Sequence, residues 1–216
     1  MNQNLTEIVF LLDRSGSMSG LEADTIGGFN SMLEKQKKEP GEAILSAVLF
    51  DHESSVIYDR VDIRKAEPMT ETQYFTRGST ALLDALGGAI RHIANAHRYA
   101  REDDRPGKTI FVITTDGMEN ASRRWTYQQV RELVEHEKEA CGWEFLFLGA
   151  NMDAICAAGK IGISADRAVR YEHDAEGTAL NFKVVSQAVC TMRAAEPLCE
   201  SWKDEIDRDF HRRHHR

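Results

Sequence analysis

Asp13, Ser15 and Ser17 place three side-chain oxygens at alternate positions in the stretch Ile8-Val9-Phe10-Leu11-Leu12-Asp13-Arg14-Ser15-Gly16-Ser17-Met18-Ser19-Gly20. Two further oxygen-bearing residues, Thr80 and Asp116, stand in comparable positions later in the chain, one at a helix entrance and one in a turn after an apolar run. Carboxylate and hydroxyl oxygens are hard donors of the kind that Mg²⁺ or Mn²⁺ prefers, and this set holds no thiolate or imidazole that would favour zinc. Two acids and three neutral hydroxyls leave a divalent cation under-neutralised. An open coordination position could then accept an acidic side chain from another protein.

Such a site needs elements to position it. The five apolar residues from Ile8 to Leu12 read as a buried strand, because nothing in them offers a polar face to water. Gly16 and Gly20 let the backbone curl before Ile26, Phe29 and Leu33 recur at helical spacing. Ala43 to Phe50 reads as a second buried strand, and Ser55 to Tyr58, after a short turn, as its antiparallel neighbour. Asp59 to Ser79 is expected to be a long functional loop, with Val61 and Ile63 hinting at a strand edge. Leu82, Leu83, Leu86, Ile90 and Ile93 form the apolar stripe of the next helix, and Asp84 falls on its wet side as a solvated or outer acid.

Thr109 to Thr114 then makes another central strand, which runs into Thr115-Asp116-Gly117 much as the first runs into Asp13. Thr126 can cap a helix carrying Val130, Leu133 and Val134, and Trp143 to Leu148 is a further strand whose aromatic residues belong to the core. A short helix around Ala154 to Ala158, a short strand around Ala168 to Tyr171 and a long helix carrying Leu180, Val184, Ala188 and Met192 complete the pattern. Strands alternating with helices imply an α/β fold, a doubly wound and mostly parallel sheet with helices on both faces and one antiparallel edge strand. In such sheets sites form outside the carboxyl ends of the strands, where strand order reverses. Both acid-tipped strands would point there.

One domain over residues 1–196 is expected, followed by a charged tail over 197–216 that reads as disordered and solvated. A hydrophobic share of 42% and a charged share of 29% suit a folded, soluble chain, and a formal charge of −8 argues against nucleic acid as a partner. No apolar run approaches a membrane span and the amino terminus lacks a basic leader, so a cytoplasmic location without membrane contact is expected. Cys141, Cys156, Cys190 and Cys199 are too scattered for a disulfide framework and read as reduced, buried thiols. His92 and His97 are badly spaced for a zinc pair on one helix face.

Asp13-Arg14-Ser15-Gly16-Ser17 resembles the DxSxS motif of von Willebrand factor A domains, Gly78-Ser79-Thr80-Ala81-Leu82 their second motif, and Thr115-Asp116-Gly117 their third. Together these make up the metal-ion-dependent adhesion site of that family, in the same order, within a resemblance running from about Thr6 to about Ala194. The resemblance implies a doubly wound, Rossmann-like fold and an ion bound directly by Ser15 and Ser17, by Thr80 directly or through water, and by Asp13 and Asp116 largely through water. Phe147 to Ala154 and Ala175 to Thr178 resemble compact stand-alone bacterial or phage members, some of which work beside ATPases. The function so implied is a metal-dependent protein-binding module, not an enzyme, whose partner supplies a carboxylate. A structural subunit of an ATPase-associated complex, with a metal that only braces its loops, is the non-enzymatic alternative.

A Mg²⁺-dependent phosphatase is the enzymatic rival, since an acid ending a first strand is also how aspartyl-phosphate chemistry is built. That chemistry needs a second acid two residues on, where Ser15 stands. The nucleophile elbow GxSxG fails as well, because Met18 holds the place of its serine.

Overall fold

The computed structural model describes residues 1–150 and 153–214. Six strands, β1 (Asn2–Asp13), β2 (Glu42–Phe50), β3 (Ser54–Asp62), β4 (Pro106–Thr115), β5 (Glu144–Gly149) and β6 (Ala168–Arg170), form one sheet in the order β3-β2-β1-β4-β5-β6. All neighbours are parallel except β2 and β3, which pair as an antiparallel hairpin at one edge. The expected α/β architecture is therefore present, including the antiparallel edge. Strand order reverses around β1, which lies between β2 and β4, so the ends of β1 and β4 open onto the crevice where such sheets carry their sites.

Among the described residues six α-helices cover the two faces: α1 (Glu22–Gln36), α2 (Leu82–Tyr99), α3 (Tyr127–Cys141), α4 (Ala154–Lys160), α5 (Ala175–Arg193) and α6 (Asp204–His214). The period-two alternation of β1 decides which core each side chain joins. Ile8, Phe10 and Leu12 pack with Phe29 and Val185 on the α1 and α5 face, while Val9 and Leu11 pack with Leu86 and Val130 on the α2 and α3 face. Each such side chain contributes about 1.5–3 kcal/mol on burial, so β1 is a firmly anchored strand from which to project Asp13. Trp143, Phe145 and Phe147 are buried core residues of the second face, and Phe111 stacks on Phe145 at 5.0 Å between centroids.

Several boundaries follow local chemistry. Thr126 caps α3 through a reciprocal box with Gln129, and Gly142 ends that helix in the left-handed region at φ 65°. Strand β3 runs to Asp62, beyond the expected Tyr58, and Arg60 adopts φ 52° where the hairpin register shifts. The residue pays for that strain by placing its guanidinium 2.9 Å from Glu7, a buried β1 carboxylate that also meets His97 at 2.6 Å. His92 meets Asp59 instead, so these two histidines serve separate ion pairs.

Three expectations need correction. The segment expected as a loop from Asp59 begins inside β3, which runs to Asp62, and Ile63, Ala66, Met69 and Tyr74 of it are buried in the core. Cys190 alone of the four cysteines is buried, because the others sit at a helix end, on an outer helix face and in a surface segment. The segment expected as a disordered tail contains α6, whose Ile206 is buried and whose Arg213 pairs with Asp174 and Glu176. His215 and Arg216 of that segment, and Asn151 and Met152 of the Phe147 to Ala154 pattern, lie outside the described residues.

Candidate metal centre

Asp13 is the last residue of β1, and the turn that follows it is held from three sides. The Arg14 N–H donates to Phe50 O at the end of β2, Gly16 N–H to Gly78 O, and Arg77 N–H to Arg14 O. The buried Tyr74 hydroxyl donates to Asp13 O at 2.6 Å. These bonds draw the first motif against the segment that carries Thr80.

The Asp13 carboxylate accepts from the Ser15 N–H at 2.7 Å and from the Thr115 hydroxyl at 2.6 Å, which ties β1 to the end of β4. Ser15 Oγ and Ser17 Oγ lie 3.0 Å apart, and the Ser17 hydroxyl donates to Asp116 Oδ1 in a short bond. A Cβ added at Gly117 would come within 2.5 Å of Thr80 Oγ1 and 3.3 Å of Ser17 Oγ. The glycine is thus required where two hydroxyls crowd onto the backbone. All five expected residues, Asp13, Ser15, Ser17, Thr80 and Asp116, therefore meet at one end of the sheet.

Two loops are stitched together to hold Thr80. Its N–H donates to Asn120 Oδ1 at 3.0 Å, and its carbonyl accepts from the N–H groups of Asn120 and Ala121. Helix α2 lacks a side-chain cap of its own; Glu119 and Ser122 accept from the Leu83 and Asp84 N–H groups instead. Asp84 answers by accepting the N–H groups of Arg123, Arg124 and Trp125. It is a tether for the loop after Asp116, and the reading of Asp84 as an outer acid was right about position but silent about this use.

The electrostatics are those of an incomplete site. Burial, above all, raises the Asp13 carboxyl above its ordinary value, against the lowering effect of the Thr115 and Ser15 hydrogen bonds. Burial and the nearby Asp116 charge push the Tyr171 phenol well above its usual range, and among the described residues its hydroxyl has no hydrogen-bond partner. Asp116 Oδ2 is buried and, among the described residues, without a hydrogen-bond partner too, with His173 Nδ1 3.1 Å away. Buried polar atoms left in this condition cost free energy unless something binds them. The donor set, two carboxylates and three hydroxyls with an unsatisfied carboxylate edge, fits a hard divalent cation.

Sequence reasoning missed Tyr74, Asn120, Glu119 and His173. Asn120 and Glu119 lie close behind the third motif and could have been suspected from that nearness. Tyr74 and His173 reach the site only through tertiary folding and carry no local signal.

No protein-family model matches the chain, and no curated protein does. Solved structures do. A von Willebrand factor type A protein from Catenulispora acidiphila aligns over 88% of this chain and 43% of its own, with 16% identity and a TM-score of 0.57. The chain has the von Willebrand factor A fold. Proximal thread matrix protein 1 of the mussel byssus, in a structure with a zinc-occupied metal-ion-dependent adhesion site motif, aligns over 88% of this chain and 47% of its own at 15% identity and a TM-score of 0.59. The manganese-loaded TRAP protein of Plasmodium vivax aligns over 83% and 72% at 16% identity and a TM-score of 0.58. The chain spans less than half the length of the first two of these A-fold chains. Among the described residues, no helix is long and apolar enough to cross a membrane.

Proposed function

We propose that this chain is a metal-dependent protein-binding module in which Asp13, Ser15, Ser17, Thr80 and Asp116 hold Mg²⁺ or Mn²⁺ and the ion grips a carboxylate of a partner protein. The observation that carries the reading is that the Thr80 and Ser17 hydroxyls crowd onto Gly117, with Ser15 and Asp116 bonded to Ser17 and an Asp116 edge left unsatisfied among the described residues. A-fold proteins with zinc or manganese bound support a divalent ion here as well. When bound, the ion would supply positive charge and an open ligand position. The chain's own work is to fix the hydroxyls, hold the two carboxylates beside them and present the rim. That rim includes a groove of about 890 Å³ between α2 and the β2–β3 hairpin, lined in part by Val48, Val56, Ser79, Ala85 and Asn120. Residues flanking the partner's acid would lie in it. The module is assigned no catalytic step.

Thermal melts of the full chain test the reading. Mg²⁺ or Mn²⁺ at a hundred times its dissociation constant should stabilise the fold by about 2.7 kcal/mol, and Asp13→Asn should remove that gain while the variant still folds. Parent melts indifferent to both ions would sink the proposal.

A further inference from the structure

His173 stands in the segment between β6 and α5, and both of its neighbours are anchored. Asp174 caps α5 by accepting the Gly177 N–H at 2.7 Å and pairs with Arg213 of α6, while the Glu172 carbonyl accepts the Asp174 N–H at 3.0 Å. The imidazole is thereby fixed with Nδ1 3.1 Å from Asp116 Oδ2. Both atoms are buried, and among the described residues neither has a hydrogen-bond partner despite that distance. Two donor atoms on adjacent positions of one ion, each at about 2.1 Å from it, lie about 3 Å apart. The spacing of this orphaned pair is therefore that of neighbouring ligands.

We propose that His173 is a nitrogen donor of the metal centre, entering on the Asp116 edge, and that it makes the site select Zn²⁺ over Mg²⁺. This rests on the metal-binding reading above, adds a ligand to its set and puts Zn²⁺ ahead of Mg²⁺ as the preferred ion. An all-oxygen site discriminates weakly in favour of zinc, whereas an imidazole suits Zn²⁺ and is a poor partner for Mg²⁺. The absence of imidazole from the five oxygen-bearing residues had argued the other way, because His173 is far from all of them in sequence.

The experiment titrates the full chain with Zn²⁺ and, separately, Mg²⁺ by calorimetry, in the parent, His173→Ala, His173→Gln and Asp13→Asn. Zinc held by the histidines near the carboxyl terminus survives in Asp13→Asn and is subtracted. Both His173 variants should lose at least about tenfold in Zn²⁺ affinity and stay within about twofold for Mg²⁺. Pulsed electron paramagnetic resonance of the Mn²⁺-loaded parent should show nitrogen coupling that both variants lose. Parallel losses for the two metals, or no nitrogen coupling in the parent, overturn the assignment and leave the oxygen site standing. No saturable binding that depends on Asp13 overturns both.

Discussion

Asp13 ends β1 and Asp51 follows β2 immediately, so two buried carboxylates stand side by side at the same end of the sheet, in contrasting company. Asp51 meets Arg14 Nε at 2.8 Å and Arg77 Nε at 2.9 Å, and it accepts the Glu53 N–H at 2.8 Å. Asp13 receives the Ser15 N–H and the Thr115 hydroxyl, and among the described residues no cationic side chain pairs with it. Arg14 is the instructive residue. It follows Asp13 directly, yet its guanidinium turns to Asp51 and lies 5.3 Å from the centre of the Phe75 ring. The chain spends its cation on the neighbouring acid and leaves Asp13 to be neutralised from elsewhere. A carboxylate compensated internally is structural, and one left uncompensated at a sheet switch point is available for an ion.

The largest expected effect comes from breaking the compensated partner. Asp51→Ala strands the buried Arg14 guanidinium and should cost about 3 kcal/mol or more in urea unfolding with chelator present. Asp13→Asn under the same conditions should stay within about 1 kcal/mol of the parent, since the amide keeps the Thr115 and Ser15 contacts and removes a charge that nothing offsets. A larger loss for Asp13→Asn than for Asp51→Ala would erase the distinction between the two acids.

A smaller effect should follow at the tether. Asp84→Ala removes the acceptor for three loop N–H groups and should cost about 1–2 kcal/mol. Because that loop positions Asn120 against Thr80, divalent affinity should fall with it although Asp84 is assigned no contact with the ion. Unchanged Mg²⁺ affinity in a destabilised Asp84→Ala protein would confine the tether to a structural role.

How much of this was legible in sequence depended on whether the signal was local. The β1 run, the α3 cap at Thr126 and the five oxygen-bearing residues each announce themselves within a few positions, because strand alternation and capping act between near neighbours. Arg14 was written inside the first motif, but nothing nearby says that its partner is Asp51 across the β1–β2 boundary. His173 sits in a segment with no motif, and only the packing of β6 against β5 brings it to Asp116. The carboxyl-terminal charges looked like a solvated tail because their partners, Asp174 and Glu176, begin a distant helix.

Acid titration of the metal-free protein separates the two carboxylates by sign, with the smallest expected effect. Asp13 is raised above 3.8 chiefly by burial, so in a window above pH 3.8 the folded chain holds a proton that the unfolded chain has released. Its contribution to stability therefore grows as pH falls through the folded value and shrinks as pH rises. Asp51 lies below 3.8: burial opposes ionisation, but the Arg77 hydrogen bond, the Glu53 N–H and the charges of Arg14 and Arg77 outweigh it. Stability from Asp51 is present above pH 3.8 and is lost as pH falls through its folded value. Urea midpoints in chelator at half-unit steps should thus find Asp13→Asn more stable than the parent near pH 7, with the gap closing as Asp13 itself becomes neutral. A gap that does not depend on pH would mean that the charge on Asp13 is already compensated inside the fold, and the contrast with Asp51 would then lose its physical basis.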